Sequence, residues 1–174
     1  MDLRRPYPPD PYTLLPEVAS FQLTSDDVIA GQLMDSRFSQ DGDNLSPHLA
    51  WAGAPRQTVS FAVSCFDPDA PTPSGFWHWT VLNLPTDITS LPRGFGDPEA
   101  SWPYDMIRAR NDGGTLGYIG AAPPVGDHPH RYVFAVHALD AKLDLPQGIP
   151  CTPAAFTMVF HTIARATLTP TYSR

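Results

Sequence analysis

Twenty-one prolines in 174 residues restrict this chain more than any other feature. An average protein carries about 5% proline. Each ring removes a backbone donor and clashes with the preceding helical turn, so long helices are excluded over most of the chain. Proline is tolerated at strand ends and in turns. The count therefore predicts short strands joined by stiff loops, a mostly β domain. The length fits one domain, and 42% hydrophobic residues suffice for a core. Low charge (17%) beside 11% aromatic residues argues against disorder.

Eleven basic against eighteen acidic residues leave a net charge of −7, which disfavours a broad nucleic-acid or anionic-membrane surface. Arg4 and Arg5 precede no apolar run, so no secretory signal is read, and no stretch approaches the ~18 apolar residues of an integral membrane span. Cys65 and Cys151 are too few for a disulfide framework, so a reduced, cytoplasmic setting is expected. Asn44-Leu45-Ser46 matches a glycosylation acceptor but reads as a loop without an export signal.

Residues 1–17 read as an extended, proline-rich and partly mobile tail, and 18–174 as a single domain. Short strands are expected at 20–23, 28–33 and 48–51. Residues 58–66 alternate, with Val59, Phe61, Val63 and Cys65 on one face and Ser60, Ala62 and Ser64 on the other. Residues 76–84 are apolar on both faces, as in a central strand. A third long strand at 130–139 puts His130, Tyr132, Phe134 and Val136 on a common face. A helix is read from a Thr152 N-cap and Pro153 through Phe156, Val159, Phe160, Ile163 and Ala164, with Arg165 near its end. The connections at 67–75, 91–106 and 111–129 exceed what a compact β domain needs, and such loops often carry function.

Chemistry concentrates in two of those loops. Asp67-Pro68-Asp69-Ala70-Pro71 sits at a strand end, and its two prolines hold both carboxylates there. Asp and Pro are also ordinary turn residues. A metal-holding D-x-D reading is disfavoured by the middle proline and by the lack of a nucleotide-binding βα unit. His78 follows on the next strand, sharing a face with Phe76 and Leu82 among Trp77 and Trp79, where a neighbouring carboxylate is expected to favour its charged form. The run from Ala121 through Pro123-Pro124 to His130-Arg131-Tyr132 aims His130 and Tyr132 the same way. Asp127, His128 and His130 resemble metal ligands, but a site needs three or four converging groups, so neither metal nor cofactor is expected. His48, His137 and His161 read as structural. Gly114, Gly117 and Gly120 follow no strand and open no helix, so they form no dinucleotide fingerprint. No G-x-S-x-G elbow and no activated cysteine is present.

With these residues in view, the sequence resembles the phosphatidylethanolamine-binding proteins, particularly the bacterial branch described as Raf-kinase-inhibitor-like. The likeness rests on Phe21-Gln22-Leu23-Thr24-Ser25, on Asn44-Leu45-Ser46-Pro47 before Leu49 and Trp51, on Asp67–Pro71 leading to Ser74-Gly75-Phe76-Trp77-His78-Trp79, and on Gly120 through His130-Arg131-Tyr132. It spans about residues 21–174. The resemblance implies a two-sheet antiparallel β fold with a large central sheet and one or two C-terminal helices. It also implies an anion pocket formed by Asp67, Asp69, His78, His130 and Tyr132, with Pro71, Pro123 and Pro124 at the rim. Ala121-Ala122 departs from a Pro-Cys pair common in the bacterial motif, and the kinase-regulating role of the animal branch is not carried over.

The expected function is a small cytoplasmic binding protein for a phosphate- or carboxylate-bearing ligand. In this reading the aspartates orient an imidazolium, which donates to the anion together with Tyr132. The alternative is an enzyme using His78, Asp69, His130 and Tyr132 for acid–base chemistry, such as dehydration or conjugate-addition cyclisation. A third reading is a protein-interaction or inhibitor module acting through loops such as 91–105. Two copies associating across the long loops, as a homodimer, completes the expectation.

Overall fold

The protein is described from a computed structural model over residues 4–174. Along the chain the strands are β1 (Ala19–Ser20), β2 (Gln22–Thr24), β3 (Leu49–Ala52), β4 (Ser60–Asp67), β5 (Phe76–Leu84), β6 (Ser90–Leu91), β7 (Ile107–Arg108), β8 (His130–Arg131), β9 (Val133–Leu139), β10 (Thr162–Leu168) and β11 (Thr171–Tyr172). A single α-helix among the described residues, α1 (Cys151–Val159), separates β9 from β10. The central sheet has six strands in the order β1-β10-β9-β4-β5-β7, and a second sheet runs β2-β3-β6. A two-stranded ribbon of β11 and β8 is added to the expected pair of sheets. All pairings are antiparallel except β1 with β10.

The alternation read from 58–66 sets the layers. Phe61, Val63 and Cys65 of β4 join Trp79 and Val81 of β5 and Phe134 and Val136 of β9 in a core closed by Leu49 and Trp51 of β3. The opposite face carries Ala62, Leu82 and Leu139, covered by Cys151, Ala154 and Met158 of α1. The long central strands are thus buried from both sides, as expected for 76–84. Each large apolar side chain enclosed this way contributes about 1.5–3 kcal/mol. Both edges of the central sheet, β1 and β7, are only two residues long.

Two expected elements differ. Residues 28–33 form a turn rather than a strand, closed by the Gln32 N–H donating to the Ile29 carbonyl, with Ile29 and Leu33 exposed. The expected helix stops at Val159, and Ile163, Ala164 and Arg165 belong to β10. Thr162, Ala164 and Ala166 are the buried residues of that strand, a period of two that small alanines hide from a hydrophobicity pattern. Phe156 and Phe160, which the helical spacing puts in line with Val159, are 68% exposed. The N-cap is Pro150 rather than Thr152, which places Pro153 in the first turn, where its missing N–H has no partner to lose.

The segment before residue 18 packs on the body of the protein. Tyr7 lies against His128 with ring centroids 4.2 Å apart, Arg131 donates to the Pro8 carbonyl, and a short 3-10 turn spans Pro11–Leu14.

Candidate functional site

Asp67 is the last residue of β4, where the chain turns into the proline loop. Its Oδ1 accepts from the backbone N–H groups of Asp69 and Ala70, at 2.7 and 3.0 Å, the side-chain turn that Asp favours. Gly75 completes the return with φ +66°, and a Cβ there would meet Phe66 and the Asp67 carbonyl below 3 Å. The other oxygen, Asp67 Oδ2, faces His130 Nδ1 at 2.7 Å. His130 Nε2 is 3.1 Å from Asp127 Oδ2, an oxygen that Arg5 also approaches at 2.9 Å. A buried imidazole is therefore clamped between two carboxylates. Burial works against its charged form, but Asp67 and Asp127 outweigh it and raise the His130 pKa. Burial also opposes ionisation of Asp127, yet the bonds from His130 and Arg5 hold its carboxyl down to about 2.

His78 reaches the same place by an irregularity in β5. Trp77 pairs with Phe66 and Trp79 with Cys65, so His78 is an extra residue without an opposite number. Such a bulge re-aims side chains. Trp79 faces the main core while Trp77 points to the helix side, and His78 and Phe76 turn toward Tyr132. The expected shared face of His78 and Leu82 is lost to this bulge, because Leu82 packs under α1. His78 Nδ1 lies 2.7 Å from the Ile119 carbonyl, so it carries the proton. Burial lowers the His78 pKa, against the expectation of a favoured imidazolium, and leaves Nε2 as a lone-pair nitrogen.

Tyr132 stands edge-on to His78 with centroids 5.1 Å apart. Its side chain is fully buried; the Ala122 N–H approaches the hydroxyl oxygen, but the O–H itself finds no acceptor among the described residues. Burial, reinforced by the Asp67 charge, keeps the phenol protonated. A buried unsatisfied hydroxyl costs about 1–3 kcal/mol, so this donor stands ready for a guest.

These groups line a cavity of about 250 Å³, floored by Asp67, His78, His130 and Tyr132 and walled by Pro71, Phe76 and Pro124. Six of the eight residues expected from sequence thus line the cavity, four in its floor and two at its rim, while the other two lie outside it. Pro71 and Pro124 form the rim, but Pro123 is buried beneath it and does not line the cavity. Asp69 does not reach the cavity either. Its carboxylate is wholly buried and bound by Arg131 through Nε, NH2 and backbone N–H, at 2.8, 2.7 and 2.8 Å. It is an anchor for β8.

Gln40 is not among the residues read from sequence, and Asp127 is read there only as a metal-ligand look-alike. Gln40 joins the lining because its N–H donates to the Ala121 carbonyl across loops far apart in sequence, which no local pattern announces. Asp127 stands three residues before His130, a visible spacing first weighed only as a metal ligand. The ligand atoms of Asp127, His128 and His130 do lie within 4.8 Å of one another. Arg5 and the two His130 bonds to carboxylates occupy that cluster, which reads as an ion-pair network. Asn44, the would-be glycosylation acceptor, accepts from the Gly120 N–H through Oδ1 and ties the loop to the rim.

A helix-backed central sheet with a small cavity at the ends of β4, β5 and β8 defines a class of small, mostly β proteins. The comparisons give the family. The model of the phosphatidylethanolamine-binding protein family matches residues 24–173, and the chain belongs to that family. The UPF0098 protein YbhB of Escherichia coli (strain K12) is 46% identical over 158 residues, covering 87% of this chain and 99% of YbhB. The crystal structure of E. coli YbcL, a member of the mammalian phosphatidylethanolamine-binding protein family, superposes with a TM-score of 0.86 at 39% identity, covering 90% of this chain and 99% of that one. A phosphatidylethanolamine-binding protein from Plasmodium vivax, at 13% identity and a TM-score of 0.58, shares the fold. No helix among the described residues is long and apolar enough to cross a membrane.

Proposed function

We propose that this protein binds a small phosphate- or carboxylate-bearing ligand in the cavity between His78, His130 and Tyr132. The observation that supports the reading is the Tyr132 hydroxyl, a buried donor with no acceptor among the described residues, on a side chain that lines a space shared by two imidazoles. Two buried free cysteines fit a protein of the reducing cytoplasm.

The roles differ from those drawn on the sequence. Both nitrogens of His130 are committed to carboxylates, so its charge acts on the ligand as a potential rather than as a bond. Tyr132 donates to an anionic oxygen. The lone pair of His78 Nε2 accepts from a protonated one. A phosphate monoanion offers both kinds of oxygen, and its second proton leaves near pH 6. Ligand protonation and His130 charge are both lost as pH rises, so affinity falls on the alkaline side.

Calorimetric titration with inorganic phosphate, phosphorylethanolamine and acetate tests the assignment. Tyr132→Phe removes a charge-assisted bond of about 1.5–3 kcal/mol, roughly a 10- to 150-fold loss of affinity. It also removes an unsatisfied buried group, so the variant should melt no lower than the parent. No measurable phosphate or acetate binding by the parent, or equal affinity in Tyr132→Phe, refutes the proposal.

A further inference from the structure

On the opposite face of the central sheet, a second cavity of about 350 Å³ opens between α1, the strands and the segment before β1. Its walls are apolar, with Leu15, Trp77, Phe156 and Val159 among them. Phe156 and Phe160 extend the apolar surface beyond the mouth, each 68% exposed. Tyr12, His137 and Arg165 are the titratable groups of its lining, beside the hydroxyls of Ser74, Thr152 and Thr162.

Arg165 is the anomaly. Its guanidinium lies over the Tyr12 ring at 4.3 Å, its Nε is buried without an acceptor, and it forms no ion pair among the described residues. Burial lowers its pKa, and the Coulombic pull of Tyr12 beside it and of Asp10 opposes this without outweighing it. The two neighbours that line the cavity with it do not neutralise it. Burial and the Arg165 charge push His137 down to about 3, so that imidazole is neutral, and burial raises the Tyr12 phenol to about 12. Tyr12 is already engaged with Ser64 Oγ and His137 Nε2, both at 3.3 Å. A cation in an apolar trough is costly unless an anion joins it.

We propose that this trough is a binding site for a small amphipathic carboxylate, whose tail lies along α1 and whose head pairs with Arg165. Arg is suited to this because its planar fork receives a carboxylate through two parallel N–H bonds. The space holds roughly a dozen heavy atoms at ~30 Å³ each, the size of a medium-chain fatty acid. The site is separated from the Asp67–His130 cavity by the sheet itself. It uses none of that cavity's lining residues.

The test is calorimetric titration of the full chain with decanoate, with 1-decanol and decyltrimethylammonium as matched tails of other charge. Decanoate is expected to bind at least tenfold more tightly than either. Arg165→Met should cost at least tenfold in decanoate affinity, and Arg165→Lys should restore only part of it, since an ammonium supplies the charge without the fork. Saturating inorganic phosphate should leave decanoate affinity unchanged. Equal affinity for decanoate and decanol, an unchanged Arg165→Met, competition by phosphate, or no decanoate binding each overturns the proposal. Should Arg165→Met fail to fold, Val159→Trp decides the matter: it fills the trough and leaves Arg165 in place, so retained decanoate binding refutes the site.

Discussion

Asp69→Asn separates the two aspartates of the proline loop most sharply. The carboxylate is wholly buried and receives three N–H bonds from Arg131, two from the guanidinium and one from the backbone. An asparagine of the same shape keeps one acceptor oxygen and turns an NH2 group toward a donor. Breaking a buried ion pair from one side costs about 3–5 kcal/mol. The Arg131 side chain retains 25% exposure and its bond to the Pro8 carbonyl, so partial rehydration favours the lower end, about 3 kcal/mol. In a domain of this size that lowers Tm by roughly 6–12 °C. Calorimetry measures the Tm, and phosphate titration at 15 °C measures affinity in the folded variant, where no more than a twofold change is expected. A Tm within about 2 °C of the parent refutes the anchoring role. So does a folded variant with a tenfold weaker phosphate affinity, since Asp69 would then act on the cavity.

The histidines make a second test by NMR titration of their ring protons. His130 should titrate above the ordinary value of about 6.5, and His78 and His137 below it. The sign of each shift sets its effect on stability. The contribution of His130 is complete below about pH 6.5 and disappears as pH rises through its higher folded value, whereas buried neutral His78 and His137 remove stability as pH falls below 6.5. Asp127, held at about 2, contributes stability above pH 4 that is lost as acid carries the protein toward pH 2. Urea midpoints flat between pH 2 and 8 contradict these assignments. Gly120→Ala should destabilise by about 1–3 kcal/mol, because its Cβ would lie 2.5–2.8 Å from the backbone of residues 38–40, and an unchanged urea midpoint refutes that packing.

Much of this architecture was written locally. The alternation of 58–66, the two-faced apolarity of 76–84 and the shared face of His130, Tyr132, Phe134 and Val136 each report a strand and its layer without help from distant residues. The roles of the charged groups were less legible. Asp67 and Asp69 are near-identical in sequence context, and only the position of Arg131 across the ribbon sends one to an ion pair and the other to His130. The neutral state of His78 was equally hidden, because it depends on a bulge and on a carbonyl 41 residues away. Helical spacing from Phe156 to Ala164 failed since a 3.6-residue and a 2-residue period coincide over a few positions, and alanines do not distinguish them.

The shortness of β1 and β7 bears on how copies of this protein can meet. Partnership by adding strand to strand requires a run of free backbone donors and acceptors along a sheet margin. Here the edge strands offer two residues each, and β4 and β9 lie inside, hydrogen-bonded on both sides, while β5 and β10 pair with those edge strands at two positions each. Margins this short favour association through side chains, in which case its strength would follow the exposed phenylalanines of α1 and fall when they are replaced by serine.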